Sequence, residues 1–305
     1  LAMRLAEALV EGGLPPGGLS LLLIGNTDAP ALLEHPGIRR VTFTGSTAVG
    51  RRIIARCGEL ARPVQTEMGG KNAAAVLPDA DLDLAVDQIV AGAFRSTGQK
   101  CTAPSRVAVT DSVAEEFLDR LLRRVAAIRV RDPGLDGTDM GPLVSTSARD
   151  DVHAAVEAAT GRAGVRVHCG GDRYTDARAD GAFLPPTVVE LDGDDALWRD
   201  ELFGPVLAVR RAATDREALQ LVNDSVFGLS AAVFTNGLDA VATAIATLDV
   251  GVLHVNSETA GADPHVPFGG AKDSGFGPKE QGAAAREFFT TTTTVYLRPA
   301  RPLAP

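Results

Sequence analysis

Short apolar runs alternate along this chain with stretches whose apolar residues return every third or fourth position, and no other feature narrows its fold so far. Leu21–Ile24 and Arg40–Phe43 have the length and composition of buried strands, with a short helical stretch at Ala31–Glu34 between them. A helix is expected from Thr47 to Leu60 and a strand of small apolar residues at Asn72–Leu77. Leu82, Val86, Ile89, Val90, Ala93 and Phe94 keep a helical period over Asp81–Phe94, where Asp81 can cap the first turn. Ser112 with Glu115, and Thr214 with Glu217, have the spacing of capping boxes, each opening an amphipathic helix. Arg106–Thr110, Val165–Cys169, Leu229–Thr235 and Gly251–Asn256 read as further strands, and Leu238–Leu248 as a helix. Alternation of this kind places a chain in the α/β class. The β-branched run Thr290–Thr294 reads as a strand, and the three prolines of Arg298–Pro305 predict a loose or extended tail. No internal repeat is present.

The 305 residues allow about two domains, at roughly 150 residues each. A net charge of −9, with Lys and Arg scattered rather than clustered, argues against nucleic acid as the main partner. The longest apolar runs fall far short of the ~18 residues needed to cross a bilayer, and no signal segment opens the chain, so no membrane association and a cytoplasmic location are expected. Three cysteines, Cys57, Cys101 and Cys169, suit free thiols better than a disulfide framework. Leu1, Leu5, Ala8 and Leu9 share one face of a helix that Gly12–Gly13 ends. A chain that opens inside a helix reads as the C-terminal part of a longer protein.

Three segments can carry chemistry. Cys101 lies in STGQKCTAPSR, where small and polar neighbours leave its sulfur reachable and the adjoining Lys100 favours the thiolate. Glu67 lies in QTEMGGKN, where twin glycines let backbone approach a partner closely; a carboxylate there can act as a base if its site raises its pKa. VTFTGSTAVGR leads from a strand through Gly45 and Ser46 into a helix, the geometry that offers backbone N–H groups to a phosphate. Each segment alone also has an ordinary structural explanation: a buried cysteine, a solvated glutamate, a turn with a helix cap. No grouping of residues predicts a metal site.

In their order along the chain, VTFTGSTAVGR, then Glu67, then Cys101, the three segments resemble the aldehyde dehydrogenase superfamily. FTGSTAVG is similar to its pyrophosphate-binding turn, EMGGKN to its general-base segment and GQKCTAPSR to its nucleophile segment. ELFGPV is similar to its ribose-contacting segment and PFGGAKDSG to its substrate-side motif, and the likeness runs from Leu1 to about Leu297. Within the family, AGADPHVPFGG and FRSTGQKCTA look most like the α-ketoglutaric semialdehyde (2,5-dioxopentanoate) dehydrogenase group.

The resemblance implies NAD or NADP as cofactor and an aldehyde as substrate. Cys101 would be the nucleophile, its backbone N–H an oxyanion donor, Glu67 the general base and Glu280 a second acidic residue for proton relay. Gly45, Ser46 and Val49 would contact the cofactor's diphosphate and adenine side, Glu201 the nicotinamide ribose, with Phe203 beside it. Phe268 would line the substrate entrance. The implied fold is an incomplete Rossmann-type nucleotide-binding layer (1–69), an α/β catalytic domain (70–267), a return to the first layer (268–285), and an oligomerisation strand with tail (286–305). A homo-oligomer, dimer or tetramer, follows from that strand. The family's sequence begins well upstream of Leu1, and that part supplies an asparagine of the oxyanion hole, a lysine on the adenosine ribose and the residue separating NAD from NADP. The chain alone is therefore expected to be inactive and to expose apolar surface on its first layer. Two other possibilities stay open: a thioester-forming acyl-transfer enzyme without hydride chemistry, and an inactive relative that acts as an assembly partner.

Overall fold

A computed structural model describes residues 1–298. In chain order the first elements are α1 (Ala2–Glu11), α2 (Ala29–Glu34), β1 (Val41–Thr44), α3 (Thr47–Glu59) and β2 (Val64–Glu67). The middle of the chain carries β3 (Asn72–Val76), α4 (Leu82–Phe94), β4 (Pro104–Thr110), α5 (Asp111–Ala126), α6 (Thr146–Ala159), β5 (Val165–Cys169), β6 (Thr187–Leu191) and α7 (Ala196–Arg199). There follow β7 (Val206–Ala212), α8 (Asp215–Asn223), β8 (Phe227–Gly228), β9 (Ser230–Phe234), α9 (Leu238–Thr247), β10 (Val252–Val255), β11 (Ala271–Lys272), β12 (Gly275–Phe276) and α10 (Gly282–Phe289).

Seven strands form the main sheet in the order β10-β9-β3-β4-β7-β6-β5, parallel throughout except for β5. Successive side chains of a strand face opposite ways, so this sheet has two cores. Ala73, Ala75, Ala231 and Val233 face α6, α7 and α8, whereas Ala74, Val76, Ala232 and Phe234 face α4 and α5. Cover on both faces is why β3, β6 and β9 are buried from end to end. Asp81 accepts from Leu84 N at 3.0 Å and so caps α4 as expected. Thr214 accepts from Glu217 N at 3.2 Å at the head of α8, with Glu217 reaching back to Ala213 N at 2.8 Å.

A second sheet has the order β1-β2-β12, with β1 parallel and β12 antiparallel to β2. The chain thus comes back to its early strands after completing the main sheet. Only one side of β1 is even half-buried, and neither α1 nor α2 buries a residue. Leu1, Leu5, Leu9 and Leu22 are exposed, as expected for this layer.

The structure corrects several local expectations. Leu21–Ile24 is not a strand: it stands exposed, and no strand among the described residues lies alongside to complete a ladder. Thr290–Thr294 is not a strand within this chain either: Phe288 and Phe289 finish α10, and 290–298 runs outside any sheet. β-Branched composition suits a strand but cannot supply its partner. From residue 299 onward the predicted tail lies outside the described residues. Ser112 does not cap α5, which starts at Asp111 with no side-chain cap, and Glu115 instead pairs with Arg211 at 2.8 Å. Six strands, β2, β6 and β7 and the two-residue β8, β11 and β12, have no counterpart in the sequence-based assignment.

Candidate active site

The stretch 64–77 is buried throughout and carries the chain from the small sheet to the large one. Glu67 ends β2 there, opposite Thr44 of β1 and Gly275 of β12. Its Oε2 accepts from Gly270 N at 3.1 Å, and a Cβ on Gly269 would stand 2.5 Å from its Oε1, so the carboxylate needs bare backbone beside it. Burial pushes the Glu67 carboxyl up to about 7, and nearby Glu280 acts in the same direction, against the Gly270 hydrogen bond and Lys279.

Cys101 sits on the loop between α4 and β4. Left-handed Ser96, Thr97 and Gly98 (φ 54°, 59° and 68°) turn the chain after α4, and Thr97 Oγ1 donates to the carbonyls of Gly141 and Pro142, both at 3.2 Å. Asn72 Nδ2 then donates to the carbonyls of Cys101 (2.8 Å) and Ala103 (2.9 Å), while its Oδ1 accepts from Ser230 N at 3.0 Å. Thr259 Oγ1 donates to Thr102 O at 2.7 Å. The nucleophile candidate is therefore tied to the first residue of β3 and to the loop after β10.

Burial raises the Cys101 thiol above its ordinary value; Glu67 raises it further and Glu201 adds to that, while the N–H groups of Cys101 and Thr102 favour the thiolate. This corrects the expectation drawn from Lys100: burial, with Glu67 and Glu201 behind it, moves the thiol away from the thiolate rather than toward it. The same charges show Glu67, Glu201 and Cys101 to be electrostatic neighbours, although they come from three separate segments. Cys57 is fully buried in α3 and Cys169 lies in β5, and all three cysteines are free thiols.

Glu201 precedes β7, and its Oε1 accepts from Gly70 N at 2.9 Å. A side chain on Gly69 would collide with its Oε2. Burial raises its carboxyl, with the Gly70 N–H and Lys71 opposing. Phe203, two residues on, is 43% exposed in a left-handed conformation (φ 52°). A cavity of about 20 Å³, room for one water, lies among Gly70, Lys100, Glu201 and Phe203.

Gly45 N donates to Glu67 O at 3.0 Å, which joins the turn before α3 to the strand of the candidate base. Ser46 occupies the N-cap of α3 without using its hydroxyl as a cap, and Val49 lies half-buried in the first turn. The first N–H groups of this 13-residue helix thus have no side-chain acceptor and can take a phosphate. The second oxygen of Glu201 has no hydrogen bond and can accept a hydroxyl. These features fit a dinucleotide. Phe268 and Glu280 exchange backbone hydrogen bonds at 2.7 and 2.6 Å, and Glu280 Oε1 accepts from Thr42 Oγ1 at 2.8 Å.

Sequence reasoning missed Lys71, Asn72, Thr259 and Lys279 as site residues. Asn72 had a signal, a lone amide entering a run of alanines directly after twin glycines; the other three become visible only through contacts across the fold. Among the described residues no group of three or more His, Cys, Asp or Glu is placed to hold a metal, and no helix is long and apolar enough to cross a membrane.

The family model described as "Aldehyde dehydrogenase family" matches residues 1–295. The chain is 37% identical to an alpha-ketoglutaric semialdehyde dehydrogenase of Bacillus subtilis over 299 residues, 97% of this chain and 61% of that protein. It is 37% identical to a chloroplastic betaine aldehyde dehydrogenase of Beta vulgaris over 277 residues, 90% of this chain and 55% of that one. A crystal structure of a Mycobacterium tuberculosis aldehyde dehydrogenase complexed with NAD+ superposes with a TM-score of 0.90 at 34% identity, covering 99% of this chain and 62% of that one. The chain therefore spans under two thirds of the length of these relatives. With one family model covering nearly all of its residues, and a solved member sharing its fold, this chain belongs to the aldehyde dehydrogenase family.

Proposed function

We propose that this chain carries the catalytic groups of an enzyme that oxidises an aldehyde to a carboxylic acid with NAD or NADP. One observation carries the proposal: a carboxylate and a thiol from separate segments share one buried seam, where Glu67, brought to about 7 by burial, lies near enough to raise the Cys101 thiol. The Cys101 thiol passes its proton to ionised Glu67, which releases it to solvent, as Sγ attacks the aldehyde carbon; the carbonyl π pair moves to oxygen, an oxyanion facing the N–H of Cys101. A nicotinamide cofactor, when bound, would supply the acceptor for the hydride that leaves this carbon, and the acyl group would stay on Cys101 Sγ as a thioester. Glu67, its carboxyl raised by burial to about 7, takes a proton from the water that attacks the thioester; the acid departs and the thiol is restored.

Ser46 and Gly45, with Val49 behind them, would receive the cofactor's diphosphate and adenine side, and Glu201 the nicotinamide ribose, with Phe203 alongside. Glu280 would pass protons from Glu67, and Phe268 would edge the substrate entrance. In this reading 1–69 and 268–285 are the nucleotide side, 70–267 the catalytic domain and 286–305 the segment offered to a second copy. Exposed Val295, Tyr296 and Leu297 support a homo-oligomer, and free thiols suit a cytoplasmic home. The semialdehyde of α-ketoglutarate is the substrate to try first, on the strength of the Bacillus subtilis relative's name.

The test is absorbance of reduced nicotinamide when full-length enzyme is given that aldehyde. Cys101→Ala should lower turnover by about 10⁴–10⁶-fold, as removal of a covalent nucleophile does elsewhere. An acyl-enzyme without cofactor reduction would favour acyl transfer instead.

A further inference from the structure

One peptide group holds the carboxylate of Glu67. Gly270 N donates to Glu67 Oε2 at 3.1 Å, and the carbonyl of that same peptide, Gly269 O, accepts from the Lys279 amine, which also donates to Gly251 O at 3.3 Å. The described residues contain no cis peptide, and in a planar trans unit the C=O and N–H point in opposite directions. The Gly269–Gly270 peptide is therefore a rigid bar with Lys279 at one end and Glu67 at the other. Glycine on both sides leaves such a unit free to rotate, so whatever fixes its carbonyl decides where its N–H points. A Cβ on Gly269 would stand 2.5 Å from Glu67 Oε1 and 2.9 Å from Lys279 Cδ, which places the two side chains against the same bare Cα. A Cβ on Gly251 would collide with Gly269 O, so the chain entering β10 lies against the carbonyl end of the bar. Lys279 is kept beside it by the backbone hydrogen bonds that its neighbour Glu280 exchanges with Phe268.

We propose that Lys279 is a positioning residue for Glu67, clamping the Gly269–Gly270 peptide so that its N–H stays aimed at the carboxylate. This rests on the general-base role given to Glu67 above. An ammonium on the carbonyl oxygen also polarises the peptide and strengthens the N–H donor at its far end. That N–H and the nearby ammonium both favour the ionised carboxylate, against burial and the like charge of Glu280. Cys101 faces Glu67 from the loop after α4. Burial lowers the Lys279 amine from its ordinary value, and Glu67 opposes that. A lysine that only tied two loops together would leave the ionisation of Glu67 alone.

Turnover of the full-length enzyme against pH separates the two. In the unaltered protein turnover should climb with a midpoint near 7 as Glu67 ionises, and Glu67→Gln should remove that climb. Lys279→Met should move the midpoint up by about one pH unit, so that turnover at about pH 6 falls about tenfold while turnover at about pH 9 is nearly unchanged. A loss by the same factor at every pH, or an unmoved midpoint, overturns the proposal. Infrared difference titration supplies a readout that needs neither aldehyde nor cofactor. The carboxyl band missing from Glu67→Gln should titrate at a higher pH in Lys279→Met than in the unaltered protein, and an unmoved band overturns the proposal. If Lys279→Met does not fold, Lys279→Gln, which keeps a donor but no charge, takes its place and should move the band in the same direction. If Glu67→Gln leaves the pH profile of turnover as it was, the base role of Glu67 fails, while the infrared shift still decides whether Lys279 holds its carboxylate.

Discussion

The two sheets are built from similar local patterns and fare differently. α4 and α1 are both short helices rich in apolar residues, yet α4 buries eight residues and α1 none. β3 is buried at every position, whereas β1 alternates between half-buried and exposed. The main sheet has helices on both faces, and every apolar side chain there has somewhere to go. In the small sheet only the central strand β2 is buried, and the apolar residues of α1, of 21–24 and of α2 are left largely exposed. A hydrophobic pattern creates a demand for burial; a neighbouring layer has to meet it.

The largest expected stability contrast is between side chains of the two regions. Trp198→Ala in the main core should cost about 3–5 kcal/mol, and Leu22→Ala on the exposed run less than about 0.5 kcal/mol, in denaturant unfolding of the same chain. Comparable costs would mean that the small layer is covered in solution. The seam between the sheets gives the next effect. Glu67 has its folded pKa raised from an ordinary 4.5 to about 7, so the folded state binds protons more readily than the unfolded state and this group's stabilising contribution is lost as pH climbs through that interval. Glu67→Gln should therefore raise stability above about pH 7, by up to about 3 kcal/mol, and leave it unchanged below about pH 4. A variant stabilised equally at both ends would show that Glu67 is not held in the seam.

The smallest effects concern helix heads. Asp81→Ala removes a capping bond from α4 and should cost about 1 kcal/mol, whereas Ser46→Ala removes none from α3 and should cost less than about 0.3 kcal/mol while weakening cofactor binding. If Ser46→Ala destabilised the fold as much as Asp81→Ala, its hydroxyl would be a cap rather than a free donor for phosphate.

Particular elements show where sequence reasoning succeeded and where it could not. The helix over Asp81–Phe94 was legible because its period and cap are properties of neighbours along the chain. β2 was not: Val64-Gln65-Thr66-Glu67 has no apolar alternation, and its burial comes from β1 and β12, more than two hundred residues apart in the chain. Thr290–Thr294 erred the other way, with ample β-branched content and no partner strand among the described residues of this chain. At the site, Cys101 and Glu67 were recognisable from their glycine-rich settings, whereas Lys71 gave no signal, since a lysine is notable only once it is found buried.

By itself, then, the sequence determined the α/β class, most helices and strands of the main sheet, the family, and which thiol and carboxylate to examine. Tertiary structure alone decided that Leu21–Ile24 and Thr290–Thr294 find no partner strand among the described residues of this chain, that Asn72 and Thr259 anchor the loop of Cys101, and that burial and two carboxylates raise its thiol. The reason is physical: periodicity and capping act over three or four residues, while ladder formation, desolvation and the fields of Glu67, Glu201 and Lys71 depend on which distant segments the fold brings within a few ångströms of one another.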